Sequence, residues 1–371
     1  MRLSILSALA GSACAAAAAA AGGGGGPRPC DILAAAGNPC VAAHSTVRAL
    51  YAAYTGALYN VTRASDGKSL SVPVLASGFA NKAQHDAFCA QLDCVISNVF
   101  DQTPNGNHLG QRHKLVNASQ HPITVSGGVP VYGMWFDPGF GYHVDKTVNI
   151  ATGNEPESIY AVLSGTHFNG GCCFDYGNSE SNDRDDGDGT MEAICEGVAP
   201  ACALAPRPNP SPPTTIPPPL QDFGNAHWRG NTGAGSGPWV GADLEQGMYY
   251  GGGLNFTVKN PNNTPLTMPF VTTYLRGGTD GFMLKGGDAT QGSLTTMYDG
   301  PRPFVDANGN NTQGRKYQPA KKQGAIILAT GGDNSNSAMG CFYEGYMVSG
   351  VTTDATDEAV QANIVALAYG T

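Results

Sequence analysis

The chain has 371 residues and a formal net charge of -9 at pH 7, from 20 Lys plus Arg against 29 Asp plus Glu. With no Lys/Arg cluster interleaved with aromatics, that balance excludes a nucleic acid as partner, since a polyanion is repelled. Charged residues are only 13% of the chain while Gly (51) and Pro (25) are abundant, which excludes a fold built mainly of charged surface helices and favours turns and β structure.

The first residues, Met1-Arg2-Leu3-Ser4-Ile5-Leu6, lead into an alanine tract ending near Ala21. A charged start, an apolar middle and small residues at the end describe a secretory signal over residues 1–21, leaving 22–371 as the mature chain. No other apolar stretch reaches the roughly 18 to 20 residues that span a bilayer, so a secreted, extracellular protein without a membrane partner is expected. Sequons at Asn60, Asn117, Asn255, Asn262 and Asn310 fit a glycoprotein. Removing the signal takes Cys14 and leaves Cys30, Cys40, Cys89, Cys94, Cys172, Cys173, Cys195, Cys202 and Cys341, an odd set with one thiol over. Short separations suggest Cys30 with Cys40, Cys89 with Cys94 and Cys195 with Cys202, although spacing does not fix connectivity. Secretion favours oxidation, and no Cys-x-x-Cys pair has matching His spacing, so no metal is expected.

Helical periodicity is confined to Thr46 to Tyr54, a short piece near Asn81 to Leu92, and Asp357 to Tyr369 with Val360, Ile364 and Leu367 on one face. Strands are predicted at Ser158 to Leu163, Phe270 to Leu275, Ala325 to Leu328 and Phe342 to Val348, each β-branched or aromatic and bounded by Gly, Asn or Asp. Many short strands with Gly/Asn turns imply an all-β sandwich or jelly roll with a few short helices. The prolines between Ala199 and Pro219 prevent regular hydrogen bonding, and strand-like sequence continues on both sides, so the tract reads as a surface loop within a single domain rather than a linker.

Most catalytic signatures are missing. There is no Gly-x-Ser-x-Gly turn for a nucleophilic serine, and Gly67-Lys68-Ser69 lacks the glycine of a phosphate cradle because Thr62 stands in its place. Asp183, Asp185, Asp186 and Asp188 suggest calcium, but Gly187 falls where the fifth-position ligand belongs and no glutamate closes the loop, so a solvated acidic loop is expected. No His-Glu-x-x-His occurs. Paired carboxylates remain, and hydrolysing an acetal needs two. Alternation across Trp239 to Glu245 places Trp239, Gly241, Asp243 and Glu245 on one strand face, like the floor of a sugar cleft. Asp333 follows the strand Ala325 to Leu328 in the turn Gly331-Gly332-Asp333-Asn334. Either acid alone reads more readily as a solvated strand edge or an Asx turn, and pattern alone does not choose them. Cys172-Cys173 either closes a strained vicinal ring, a rigid apolar plate suited to a sugar face, or bridges to distant cysteines.

Taken together, Gly171-Cys172-Cys173-Phe174-Asp175-Tyr176-Gly177-Asn178, Asp243-Leu244-Glu245, Gly331-Gly332-Asp333-Asn334-Ser335-Asn336 and Phe342-Tyr343-Glu344-Gly345 closely resemble glycoside hydrolase family 54, the fungal α-L-arabinofuranosidase B group. The resemblance covers nearly the whole mature chain. It implies a jelly-roll or concanavalin-like β-sandwich and a retaining hydrolase with Glu245 as nucleophile and Asp333 as general acid/base. It also implies bridges Cys30 to Cys40 and Cys89 to Cys94, a vicinal disulfide Cys172 to Cys173 in the pocket, and sugar contacts from Asp243, Gly332 and Trp228. The expected substrate is arabinose-containing plant cell-wall polysaccharide, acted on by a monomer without cofactor. A retaining route expects the two carboxyl groups about 5 to 5.5 Å apart, with Glu245 ionised, Asp333 protonated and an acidic optimum.

Three departures from the family pattern stand out. Gln246-Gly247 replaces two asparagines beside the sugar, Cys195 and Cys202 flank an unusual proline loop, and the chain stops at Thr371 without the arabinose-binding module commonly attached. Weaker attachment to insoluble arabinoxylan is therefore expected. A β-D-galactofuranosidase, a β-xylosidase side activity and a catalytically silent sugar-binding sandwich are the competing readings.

Overall fold

The computed structural model describes residues 26–90, 92–197, 232–245, 247–252, 258–304 and 317–371. Two antiparallel sheets face each other across one apolar interior and form a β-sandwich. The eight-stranded sheet runs Thr295–Gly300, Phe282–Asp288, Val271–Gly277, Glu157–Leu163, Gly340–Ser349, Val129–Phe136 and His121–Val125, with Cys40–Ser45 also paired to Gly340–Ser349. The ten-stranded sheet runs Met248–Tyr249, Trp239–Asp243, Glu192–Gly197, Asp175–Ser179, Ala325–Leu328, Tyr142–Val144, Leu109–Gln111, Cys94–Val99, Ala57–Arg63 and Ser69–Pro73.

Register explains why a strand as apolar as Glu157–Leu163 is buried throughout. Tyr346, Tyr160, Tyr274 and Lys285 pair in a row across four strands of the first sheet. The helix Asp354–Ala366, capped by the Thr353 hydroxyl, covers that row and buries Val360 and Ile364. Its Asp357 accepts from the Tyr160 hydroxyl and pairs with Lys285 and Arg276. Each large apolar side chain removed from water in this way contributes about 1.5 to 3 kcal/mol.

The predicted strands appear as Glu157–Leu163, Val271–Gly277, Ala325–Leu328 and Gly340–Ser349. Two of the expected helices form, as Lys82–Cys89 and Asp354–Ala366, and a third, Pro29–Ala35, was not anticipated. Thr46 to Tyr54 is a correction, because it forms no helix. Its backbone bonds are taken by tertiary partners: Thr46 N donates to Tyr343 O, Ser45 Oγ accepts from Val47 N and Arg48 N, and Leu50 N donates to Gln102 Oε1. A local 3.6-residue rhythm loses when long-range acceptors satisfy the same groups.

Disulfides join Cys30 to Cys40, Cys89 to Cys94 and Cys172 to Cys173. The suggested Cys195 to Cys202 bridge is not formed here: Cys195 carries a free, buried thiol, and Cys202 lies outside the described residues. So do the leader, the proline tract, Trp228 and Gln246. Among the described residues no helix is long and apolar enough to cross a membrane.

Candidate active site

The site forms where three strands of the larger sheet end together. Asp175–Ser179 lies antiparallel to Ala325–Leu328, so Cys172-Cys173, just before the first strand, stands beside the turn Gly331 to Asp333, just after the second. Ser337 N and Oγ donate to Cys172 O at 2.6 and 3.1 Å and hold the two segments together. On the other flank, Asp175 pairs opposite Cys195 and Cys195 opposite Gly241, while Ala193 pairs opposite Asp243. Residues directly opposite share a face and alternate along a strand. Asp175, Cys195 and Asp243 therefore share the face turned away from the interior, which Tyr176, Ile194, Val240 and Ala242 help to fill.

Strand Trp239–Asp243 ends two residues before Glu245, which adopts φ +59°. The Asp243 carboxylate accepts from Glu245 N at 2.9 Å, a local bond that stabilises this turn. Two corrections to the alternation argument follow. Glu245 reaches the cleft by a turn rather than by strand parity, and Trp239, although on the same face as Asp243, packs against Cys195, Met248 and Tyr250 instead of flooring the cleft.

One small cleft is lined by Cys172, Cys173, Asp243, Glu245, Gly331, Gly332, Asp333 and Ser335. The structure thus brings together Glu245, Asp333, Asp243, Gly332 and the two cysteines. Cys173 Sγ lies 3.7 Å from Asp243 Oδ2, so the disulfide forms one wall against the carboxylate. Asp333 is exposed at the mouth and accepts from Ser335 N at 2.8 Å and from the Ser335 hydroxyl.

Sequence reasoning missed two acids. Asp175 is fully buried beside Asp243, and Glu180, also fully buried, accepts from the Thr190 hydroxyl and adds its charge beside Glu245. A Cβ placed on Gly332 would lie 2.0 Å from Glu180 Oε2, so glycine lets this carboxyl sit directly under the pocket. The available signal was an aspartate opening a buried strand, a position that β propensity disfavours.

No Lys or Arg is among the described residues lining the cleft, so proximity of the acids is relieved by protons. Burial, then the charges of Asp243, Glu180, Asp185 and Asp333, push Glu245 up to about 12. Burial pushes Asp243 up to about 7, opposed by the bond from Glu245 N. Glu180 also rises to about 7 through burial, opposed by the Thr190 hydroxyl, and burial beside Asp243 carries Asp175 well above the carboxylate range. Set against the expectation of an ionised Glu245, burial among like charges pulls this carboxyl toward protonation. Burial, then Asp175 and Asp243, also push the Cys195 thiol well up, which makes it inert.

The acidic loop behaves as a self-bonded turn. Asn182 Nδ2 and Gln323 Nε2 both donate to Asp186 Oδ2, and Gly187 N donates to Asp185 Oδ1.

The chain matches the family model "Alpha-L-arabinofuranosidase B, catalytic" over residues 29–210 and 220–370. It is 43% identical over 357 residues to the alpha-L-arabinofuranosidase B of Emericella nidulans, covering 92% of this chain and 62% of that protein. Among solved structures, it resembles an arabinofuranosidase complexed with arabinofuranosyl-alpha-1,2-xylobiose, with TM-score 0.80, 39% identity and coverage of 93% of this chain and 66% of that one. A family 54 α-L-arabinofuranosidase soaked with a cyclic sulfate inhibitor is similar, with TM-score 0.79, 40% identity and coverage of 92% and 66%. The chain thus spans about 62% of the length of such curated relatives.

Proposed function

The chain belongs to the catalytic family of alpha-L-arabinofuranosidase B, and from that premise we propose that it is a retaining α-L-arabinofuranosidase releasing terminal non-reducing arabinofuranosyl groups from arabinoxylan- or arabinan-type polysaccharide. One observation carries the reading: Glu245 and Asp333, brought from different strand ends, line one small cleft walled by Cys172–Cys173. That apolar wall suits a sugar face, and Asp243 and Gly332 supply polar edges for its hydroxyls.

In this mechanism Glu245 attacks the anomeric carbon as Asp333 gives its proton to the departing oxygen, leaving a glycosyl ester on Glu245. Asp333 then takes a proton from water, the resulting hydroxide attacks the same carbon, and the ester breaks. Glu245 attacks as a carboxylate, so its proton must have left before the attack. Asp333, exposed at the mouth, meets both the leaving group and incoming water. An acidic optimum is expected, because departure of the leaving group requires a proton delivered to its oxygen. We read the protein as a monomer secreted outside the cell, its residues 22–371 forming one catalytic domain; the disulfides suit an oxidising compartment.

The test is a mechanism-based furanosyl label followed by peptide mass mapping, run with aryl α-L-arabinofuranoside turnover. The label is expected on Glu245, and Glu245→Gln should abolish both labelling and turnover. A label on Glu180 or Asp243 would remove the nucleophile assignment, and faster turnover of an aryl β-D-galactofuranoside would replace the sugar.

A further inference from the structure

We propose that Arg112 is a positioning residue for Asp333, clamping the turn that carries the general acid to the rest of the sheet; this rests on the reading of Asp333 given above. Arg112 directly follows the strand Leu109–Gln111, and its backbone N donates to Gly141 O at 3.1 Å. Its side chain runs to two loops on the rim of the cleft. Nε donates to Asn334 Oδ1 at 2.6 Å, and Nη2 pairs with Asp183 Oδ2.

Asn334 has φ +72° and Asp183 φ +63°, the left-handed region that Asn and Asp adopt more readily than other L residues, so both acceptors stand on tight turns. Asp183 is braced from behind: its Oδ1 lies 3.4 Å from Nδ1 of the buried His143, whose Nε2 lies 3.3 Å from Asp145 Oδ1. Asp333 itself accepts bonds only from the neighbouring Ser335 among those resolved here, so the turn as a unit sets where its carboxyl stands. Asn334 adjoins Asp333 in the chain and contributes the side-chain link from that turn to Arg112. The geometry requires a fork. Two donors on one rigid plane reach two acceptors in different loops, whereas a lysine offers a single flexible ammonium.

A displaced general acid hurts departure of a poor leaving group and spares one that needs no proton. A misplacement near 1 Å costs about 100-fold in rate. The experiment measures kcat/KM for a series of α-L-arabinofuranosides, from dinitrophenyl to phenyl and alkyl aglycones, with the wild type, Arg112→Lys, Arg112→Met and Asn334→Ala. All three variants should lose about 10- to 100-fold on phenyl and alkyl substrates yet stay within about 3-fold on dinitrophenyl. Arg112→Lys should fail to rescue despite keeping its charge. A uniform loss across the series, or full activity in Arg112→Lys, would overturn the proposal and leave Arg112 as a structural or merely electrostatic residue. Asn334→Ala keeps the Arg112–Asp183 pair, so it reports on the clamp even if the arginine variants do not fold. Asp333→Ala is the control: it must show the same selectivity for leaving group, with azide restoring turnover of the dinitrophenyl substrate. If it does not, the assignment of Asp333 fails and the role of Arg112 falls with it, whatever the arginine variants do.

Discussion

Two groups of buried acids are neutralised in opposite ways, although Glu192 of the first lies on the strand between those that carry Asp175 and Asp243 of the second. On the inner face, Glu192 meets Arg302 and Lys322 at 2.5 and 3.0 Å, and Lys322 also pairs with Glu157 at 3.0 Å. On the outer face, Asp175, Glu180, Asp243 and Glu245 border a cleft with no Lys or Arg among the described residues that line it. Burial works against a charged Glu192, but Arg302 and Lys322 hold it below its ordinary value. Glu157, sharing one lysine, rises through burial to about 7. The outer acids all rise. Cations make acids structural; protons leave them available for chemistry.

The sharpest way to break this contrast is Glu245→Gln, which should lower kcat on an aryl arabinofuranoside by at least about 1,000-fold, the scale of losing a group that acts only in the transition state. Its melting temperature should hold, because an uncharged amide of the same shape replaces a buried carboxyl already pulled toward its neutral form; a large fall, measured by calorimetry, would make Glu245 structural. Lys322→Met tests the opposite face. Stripping the cation from Glu157 and Glu192 leaves buried charge unpaired and should cost about 3 to 5 kcal/mol in denaturant unfolding. Turnover by the folded fraction should stay close to wild type.

The smallest effect sharpens the comparison through pH. Glu180 and Asp243 rise from 4.5 and 3.8 to about 7 on folding, so the folded state binds more protons. Their contribution is full below pH 4 and is lost as pH climbs through 7. Glu192 has the reverse sign: its contribution is present above its unfolded value and is lost as pH falls through its lowered folded value. The melting temperature should therefore decline from pH 4.5 to 7.5, and Glu180→Gln should flatten that decline. An unchanged slope in the variant would place the protons elsewhere.

The sequence by itself determined the strands and the motifs. Ala325–Leu328 and Glu157–Leu163 are apolar, β-branched runs between turn residues, and such local chemistry selects extended backbone wherever the chain goes. It also determined which acids to suspect, through the motifs around Glu245 and Asp333. Tertiary structure alone decided the rest, because the deciding partners are far apart in the chain. Thr46 to Tyr54 gave up its helical rhythm to acceptors such as Tyr343 and Gln102. Glu180 became a neighbour of Glu245 only once the sheet had closed, and Arg112 met Asn334 across 222 positions. A side chain's charge state depends on what folding places within a few ångströms of it, and local pattern carries no record of that neighbourhood.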